Sequence, residues 1–90
     1  MKVTIHIDGK PARLDIDQEG NVCYGAVSVG NVTKTEGGRW KAIDVQGKER
    51  SYRRRKYALL NMCFDCPDFW KESFRRIQEK HEMPYKEPNQ

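Results

Sequence analysis

The hydrophobic period of this chain changes once. Up to about residue 51, apolar side chains recur at every second position; beyond it they recur at intervals of three and four. Strands therefore come first and helices last, which restricts the fold to an antiparallel sheet with helices laid across a face, an α+β layer packing. The 90 residues, 37% of them apolar, suffice for one modest core. A deep cleft between two lobes, as large multi-substrate enzymes use, is excluded at this size.

Val3, Ile5 and Ile7 alternate with polar residues, Asp8-Gly9-Lys10-Pro11 supplies turn chemistry, and Leu14 and Ile16 resume the alternation, which predicts a β-hairpin. A second turn is expected at Glu19-Gly20-Asn21. The segment Val22 to Val29 reads as one strand whose apolar phase slips at Gly25, the mark of a bulge. Gly30-Asn31 then reads as punctuation, leaving 32–35 as a short strand or a strand end. Arg39 to Val45 and Lys48 to Tyr52 form an antiparallel pair joined by a type I turn, Asp44 first and Gly47 last. Trp40 shares a face with Ala42 and Asp44, and Ile43 shares the other with Arg39 and Lys41, so the pattern leaves open which face is inward.

Tyr57, Leu60 and Phe64, with Leu59 and Cys63, have helical spacing, and Ser51 is the expected N-cap. A second helix begins near Asp65 or Cys66, takes Pro67 into its first turn, carries an apolar stripe of Trp70, Phe74, Ile77 and His81, and ends at Pro84. The expectation is one α+β domain over 1–83, an antiparallel sheet of four to five strands followed by two C-terminal helices packed on it, with a flexible tail over 84–90.

The net charge of +4 is concentrated rather than spread. Residues 1–38 and 57–90 each carry net −1, whereas 39–56 hold eight cations (Arg39, Lys41, Lys48, Arg50, Arg53, Arg54, Arg55, Lys56) against Asp44 and Glu49, net +6. Beside Trp40, Tyr52 and Tyr57, such a cluster forms an attractive field for a polyanion. Arg53 to Lys56 stand at a helix start, where exposed amides are already partly positive, and a bound phosphate would relieve that conflict. Arg39, Lys41, Lys48 and Arg50 would line the strand pair, a ribbon of a size that fits the DNA major groove, and Trp40, if exposed, would stack on a base.

Gly38-Arg39-Trp40-Lys41-Ala42-Ile43-Asp44, then Gly47-Lys48-Glu49, then the basic helix start from Arg54 to Leu60, resembles the strand, turn, strand, helix core of the arm-type or AP2-like DNA-binding domains of phage tyrosine integrases. The resemblance covers residues 38–63. It implies a three-stranded sheet set in the major groove, with Arg39, Lys41, Lys48 and Arg50 as groove or phosphate contacts. The long preceding hairpin, the second helix and the lack of a catalytic integrase domain depart from that pattern.

Three cysteines cannot close a disulfide framework. Cys63 and Cys66 form a single C-x-x-C, and a zinc site would need Cys23, His6 or His81 to complete it. The expected reading is a core thiol at Cys63 and an interhelical turn at Cys66, whose place near a helix start makes it the most oxidisable of the three. Asp15 with Asp17 reads as the polar face of a strand, and Asp65 with Asp68 as a capping pair. No nucleophile motif or phosphate loop is present.

The chain thus reads as a small nucleic-acid-binding protein, DNA ahead of RNA, that is not an enzyme and needs no metal or cofactor. The alternative is a phage-type or mobile-element inhibitor or adaptor that sets the same basic face on an acidic host protein surface. The opening residues lack an apolar block and no apolar run approaches 18 residues, so the expected setting is cytoplasmic, away from membranes.

Overall fold

The computed structural model describes residues 1–85, with side chains described through 79. Six strands, β1 (Lys2–Ile7), β2 (Lys10–Ile16), β3 (Asn21–Tyr24), β4 (Val27–Lys34), β5 (Trp40–Asp44) and β6 (Glu49–Tyr52), are followed by α1 (Arg55–Phe64) and α2 (Pro67–Tyr85). The strands form one antiparallel meander in the order β1-β2-β3-β4-β5-β6. Helix α1 packs against β1, β4, β5 and β6, so the sheet curls until both of its edges reach the same helix. Among the described residues, no helix is long and apolar enough to cross a membrane.

The first hairpin follows from its turn. Asp8 and Gly9 both take positive φ (53° and 75°), as a two-residue turn between twisted strands requires. That turn sets Val3 opposite Leu14 and Ile5 opposite Ala12, the inward-facing pairs. The 44–47 turn is also as expected: the Asp44 carboxylate accepts from the Gln46 and Lys48 amides at 2.9 and 2.8 Å.

The strand count is six rather than four to five because Gly25 is not a bulge. Gly25 and Ala26 form a tight turn, with Tyr24 opposite Val27, that divides the expected single segment into β3 and β4. The bulge lies where Val22 faces Gly30 and Cys23 faces Ser28, leaving Val29 as the extra residue of β4. Val29 and Gly30, adjacent there, both turn inward, whereas the phase slip read at Gly25 comes from the Gly25-Ala26 turn.

Gly30 does not interrupt β4 either. It sits mid-strand because a Cβ there would run into the Ile43 carbonyl oxygen and the Met62 sulfur of α1. A missing side chain lets the helix lie close against the sheet.

The helices present other faces to the core than the longest apolar stripes imply. Ala58, Leu59, Met62 and Cys63 are buried, whereas Tyr57 is exposed and Phe64 is 64% exposed. On α2 the anchor is Phe69, 1% exposed, its ring 4.7 Å from that of Tyr24, while Phe74 is 61% exposed. Trp70 stands edge-on to Phe69 and Phe64, and its indole donates to the Phe64 carbonyl at 2.8 Å. The side chain of His81, the expected end of that stripe, lies outside the described residues.

The helix ends also differ from expectation. Ser51 cannot cap α1 because it belongs to β6, opposite Lys41; Arg54 is the N-cap instead. Asp65 closes α1, and α2 opens from Cys66, the second of the two expected starts, whose carbonyl accepts the first bonds of α2 from Phe69 and Trp70. Helix α2 runs one residue past Pro84, and residues 86–90 of the expected tail lie outside the described residues.

Helix α2 is tied to the β3–β4 hairpin electrostatically as well. Arg76 stacks 4.1 Å from the centre of the Tyr24 ring, and Glu72 binds both Arg75 and Arg76. Those two guanidinium groups pull the Glu72 carboxyl from its ordinary 4.5 down to about 2. A carboxylate depressed in the folded state stabilises the fold above its unfolded pKa, and that contribution is lost as pH falls. Acid titration of the wild type should therefore show a loss of stability between pH 4.5 and about 2 that Glu72→Gln reduces, read from urea midpoints at stepped pH. Gly30→Ala should lower the denaturation midpoint by the equivalent of about 2 kcal/mol or more, since backbone as well as Met62 must move. Gly37→Ala, with nothing within 4 Å of the added carbon, should leave it nearly unchanged.

Candidate functional site

Meander topology sorts the cations by which end of the sheet they occupy. Strand β4 finishes, β5 begins, β6 finishes and α1 begins at one end. That end carries Arg39, Arg53, Arg54, Arg55 and Lys56, with Lys41 one step further along β5. Lys48 lies at the opposite end, in the β5–β6 turn.

The faces divide them further. Ala42 is buried, so Trp40, Ala42 and their cross-strand partners Tyr52 and Arg50 face the helices, whereas Arg39 and Lys41 face outward. Arg50 is turned to Asp65 at 3.6 Å. The β5–β6 ribbon therefore does not present Arg39, Lys41, Lys48 and Arg50 to one ligand; the convergent group is the one around the start of α1.

The amides of that helix start have no side-chain cap. Arg54 has extended geometry (φ −128°, ψ 144°), makes no capping bond, and no acidic residue occupies the first turn. Among the described residues, none of Arg53, Arg54, Arg55 and Lys56 lies within ion-pair distance of a carboxylate. Two of them rest on aromatic rings instead, Arg55 at 5.6 Å from the centre of the Trp40 ring and Lys56 at 5.3 Å from that of Tyr57. Arg55 also donates to the Met1 sulfur at 3.2 Å, and Arg39 is held by the Ser51 hydroxyl at 2.8 Å.

Sequence reasoning missed one member of the group. Lys34 ends β4 directly opposite Trp40, and its ammonium sits 5.8 Å from the centre of that ring. The signal was the β4–β5 hairpin, closed by Thr35 and Arg39, which brings Lys34 across to the basic segment. Trp40 itself is half-buried. Its inward side packs on the core, and it forms a wall of an open cavity of about 530 Å³, shared with Met1, Ile16, Val32, Lys34 and Arg55.

The acidic groups near this end are engaged elsewhere or stand apart. Asp15 is ion-paired with Lys2 at 2.8 Å, which holds its carboxyl below the usual range. Asp17 borders the cavity, but it accepts the Asn21 amide, the Asn21 side chain and the Glu19 amide, and these bonds lower its pKa too. Glu19 and Glu36 are exposed in turns and make no ion pair among the described residues.

The remaining candidates have structural surroundings. Cys63 and Cys66 are buried, and burial pushes the Cys63 thiol up to about 12. Cys66 is enclosed at the α1–α2 junction, which corrects the expectation that it is the most oxidisable thiol; Cys23, half-buried on β3, is the accessible one. Among the described residues, no three His, Cys, Asp or Glu side chains are gathered to hold a metal ion. Compared with known proteins, the chain matches no family model, no curated protein and no solved structure.

A thiol reagent should accordingly label Cys23 alone under native conditions and all three cysteines in denaturant, as counted by mass spectrometry. Rapid native labelling of Cys66 would contradict the packing described for the interhelical turn.

Proposed function

We propose that this chain binds nucleic acid through its phosphates at the end of the sheet where α1 begins. The observation that carries the reading is a helix start without a cap, surrounded by Arg53, Arg54, Arg55 and Lys56 with no carboxylate in ion-pair distance among the described residues. Cations at the positive end of a helix oppose folding, and a phosphate at that place accepts from free amides and guanidinium groups together. Arg39 on the outer face and Lys34 beside Trp40 extend the positive surface around the rim. Lys48 and Arg50 have no part in it, the first by position and the second through Asp65. The setting that accompanies this reading is cytoplasmic, in keeping with three free thiols.

A second reading keeps an inhibitor or adaptor of another protein but moves it from the basic face expected from the sequence to a different surface. Phe64 and Phe74 stand exposed on either side of Trp70, an apolar strip that phosphate binding does not use. Salt separates the two, because phosphate contacts release counterions and apolar contacts do not.

Fluorescence anisotropy with a labelled generic oligonucleotide should give a log–log salt slope of about −3 to −5 between roughly 50 and 200 mM salt. Arg53→Ala with Arg54→Ala, both exposed, should weaken binding equally across sequences and reduce the slope by about two units, with the melting temperature unchanged or raised. Absence of binding at low salt, or a slope that the double variant leaves intact, would refute the proposal.

A further inference from the structure

The cavity beside the start of α1 has features that phosphate binding does not require. Its volume of about 530 Å³ falls in the range of small-ligand sites, and its walls combine apolar Ile16, Val32 and Trp40 with cationic Lys34 and Arg55. It lies at the end of the sheet where β2 and β4 finish and β5 and α1 begin.

The two tryptophans differ in a way that bears on this. Trp70 donates its indole hydrogen to the Phe64 carbonyl, whereas among the described residues Trp40 donates to no protein acceptor. Trp40 therefore lines the cavity with an indole that no protein acceptor engages among the described residues, and two positive charges stand over its ring.

We infer that this cavity receives an unstacked base of a single-stranded nucleic acid, laid against Trp40, with the adjoining phosphates on Arg55 and Lys34. The inference rests on the phosphate-binding reading and adds the form of the partner. A base within a duplex shows only its edge, whereas one in a single strand can swing out and place its face on an aromatic ring. Lys34 and Arg55 both stand over the Trp40 ring, and such cation–π contacts are weaker than base–aromatic stacking, so an entering base displaces the ammonium and the guanidinium toward its own phosphates. Asp17 stays ionised at the cavity border, its oxygens bonded to Asn21 and Glu19, and among the described residues it pairs with neither Lys34 nor Arg55.

The test compares three ligands on the full chain at low salt: an octamer of thymidylate, an abasic octamer with the same sugar-phosphate backbone, and a hairpin duplex. Trp70→Phe leaves Trp40 as the one tryptophan, so its emission reports on the cavity. The thymidylate octamer should bind roughly tenfold tighter than the abasic one, a difference of the size one stacked base provides, and should quench Trp40. The duplex should bind more weakly than the thymidylate octamer and leave the emission unchanged. Equal affinity for the two octamers without quenching would overturn the base site while leaving phosphate binding in place. Absence of binding by all three would overturn the phosphate reading itself, and the base site with it. If the variant does not fold, 2-aminopurine in the oligonucleotide serves on the wild type, and unchanged aminopurine emission on binding counts against stacking.

Discussion

The close seat of α1 on the sheet, made possible by the missing side chain at Gly30, decides where every other group stands. Met62 enters the space a Cβ would fill, and Ala58, Leu59 and Cys63 follow it into the same contact. Burying Leu59 and Met62 contributes about 1.5 to 3 kcal/mol each, enough to hold a ten-residue helix that would be marginal alone. Because both sheet edges curl onto this helix, its position also sets the opening at its N-terminal end. The cavity beside Trp40 follows from how α1 is packed.

Electrostatically, the helix is built against its own dipole. Cations at a helix start cost a few tenths to about 1 kcal/mol each, together less than the apolar face gains by burial. The aromatic rings of Trp40 and Tyr57 offset part of the repulsion by taking Arg55 and Lys56 onto their faces. What remains is a field that a mobile anion can satisfy. Arg50 shows the contrast: it lies in the same basic window, but it is on the helix-facing side of β6, meets Asp65, and belongs to the scaffold.

Features governed by local chemistry were legible from the residues. Asp8-Gly9 specifies its turn through positive φ, Asp44 and Gly47 specify theirs, and the change of period marks the passage from sheet to helices. Features governed by contact between distant segments were not. Gly30 reads as a break because its partner Met62 lies 32 positions on, and nothing near it in sequence announces a helix overhead. Gly25 permits either a bulge or a turn, and the docking of Arg76 on Tyr24 accompanies the turn. The helical stripes misled for a related reason: aromatic spacing identifies a helix, but Phe69, adjacent to Trp70, is the residue that the curl of the sheet encloses. In the candidate site, the charge window held the residues around the start of α1 and could not reveal that alternation sends Arg50 inward or that a hairpin returns Lys34 to Trp40.

Every strand pairs with its neighbour in sequence, so the sheet contains no crossover. Such a meander has low contact order, and its hairpins can close in microseconds, one after another, as the chain leaves the ribosome. The helices that cover their apolar side follow all six strands in the chain. For the seconds that these helices take to be synthesised, Leu14, Val22 and Val29 line an uncovered trough. The nascent protein is therefore most vulnerable to self-association just before α1 emerges, and the arginines at its leading end arrive in time to keep neighbouring chains apart by like-charge repulsion.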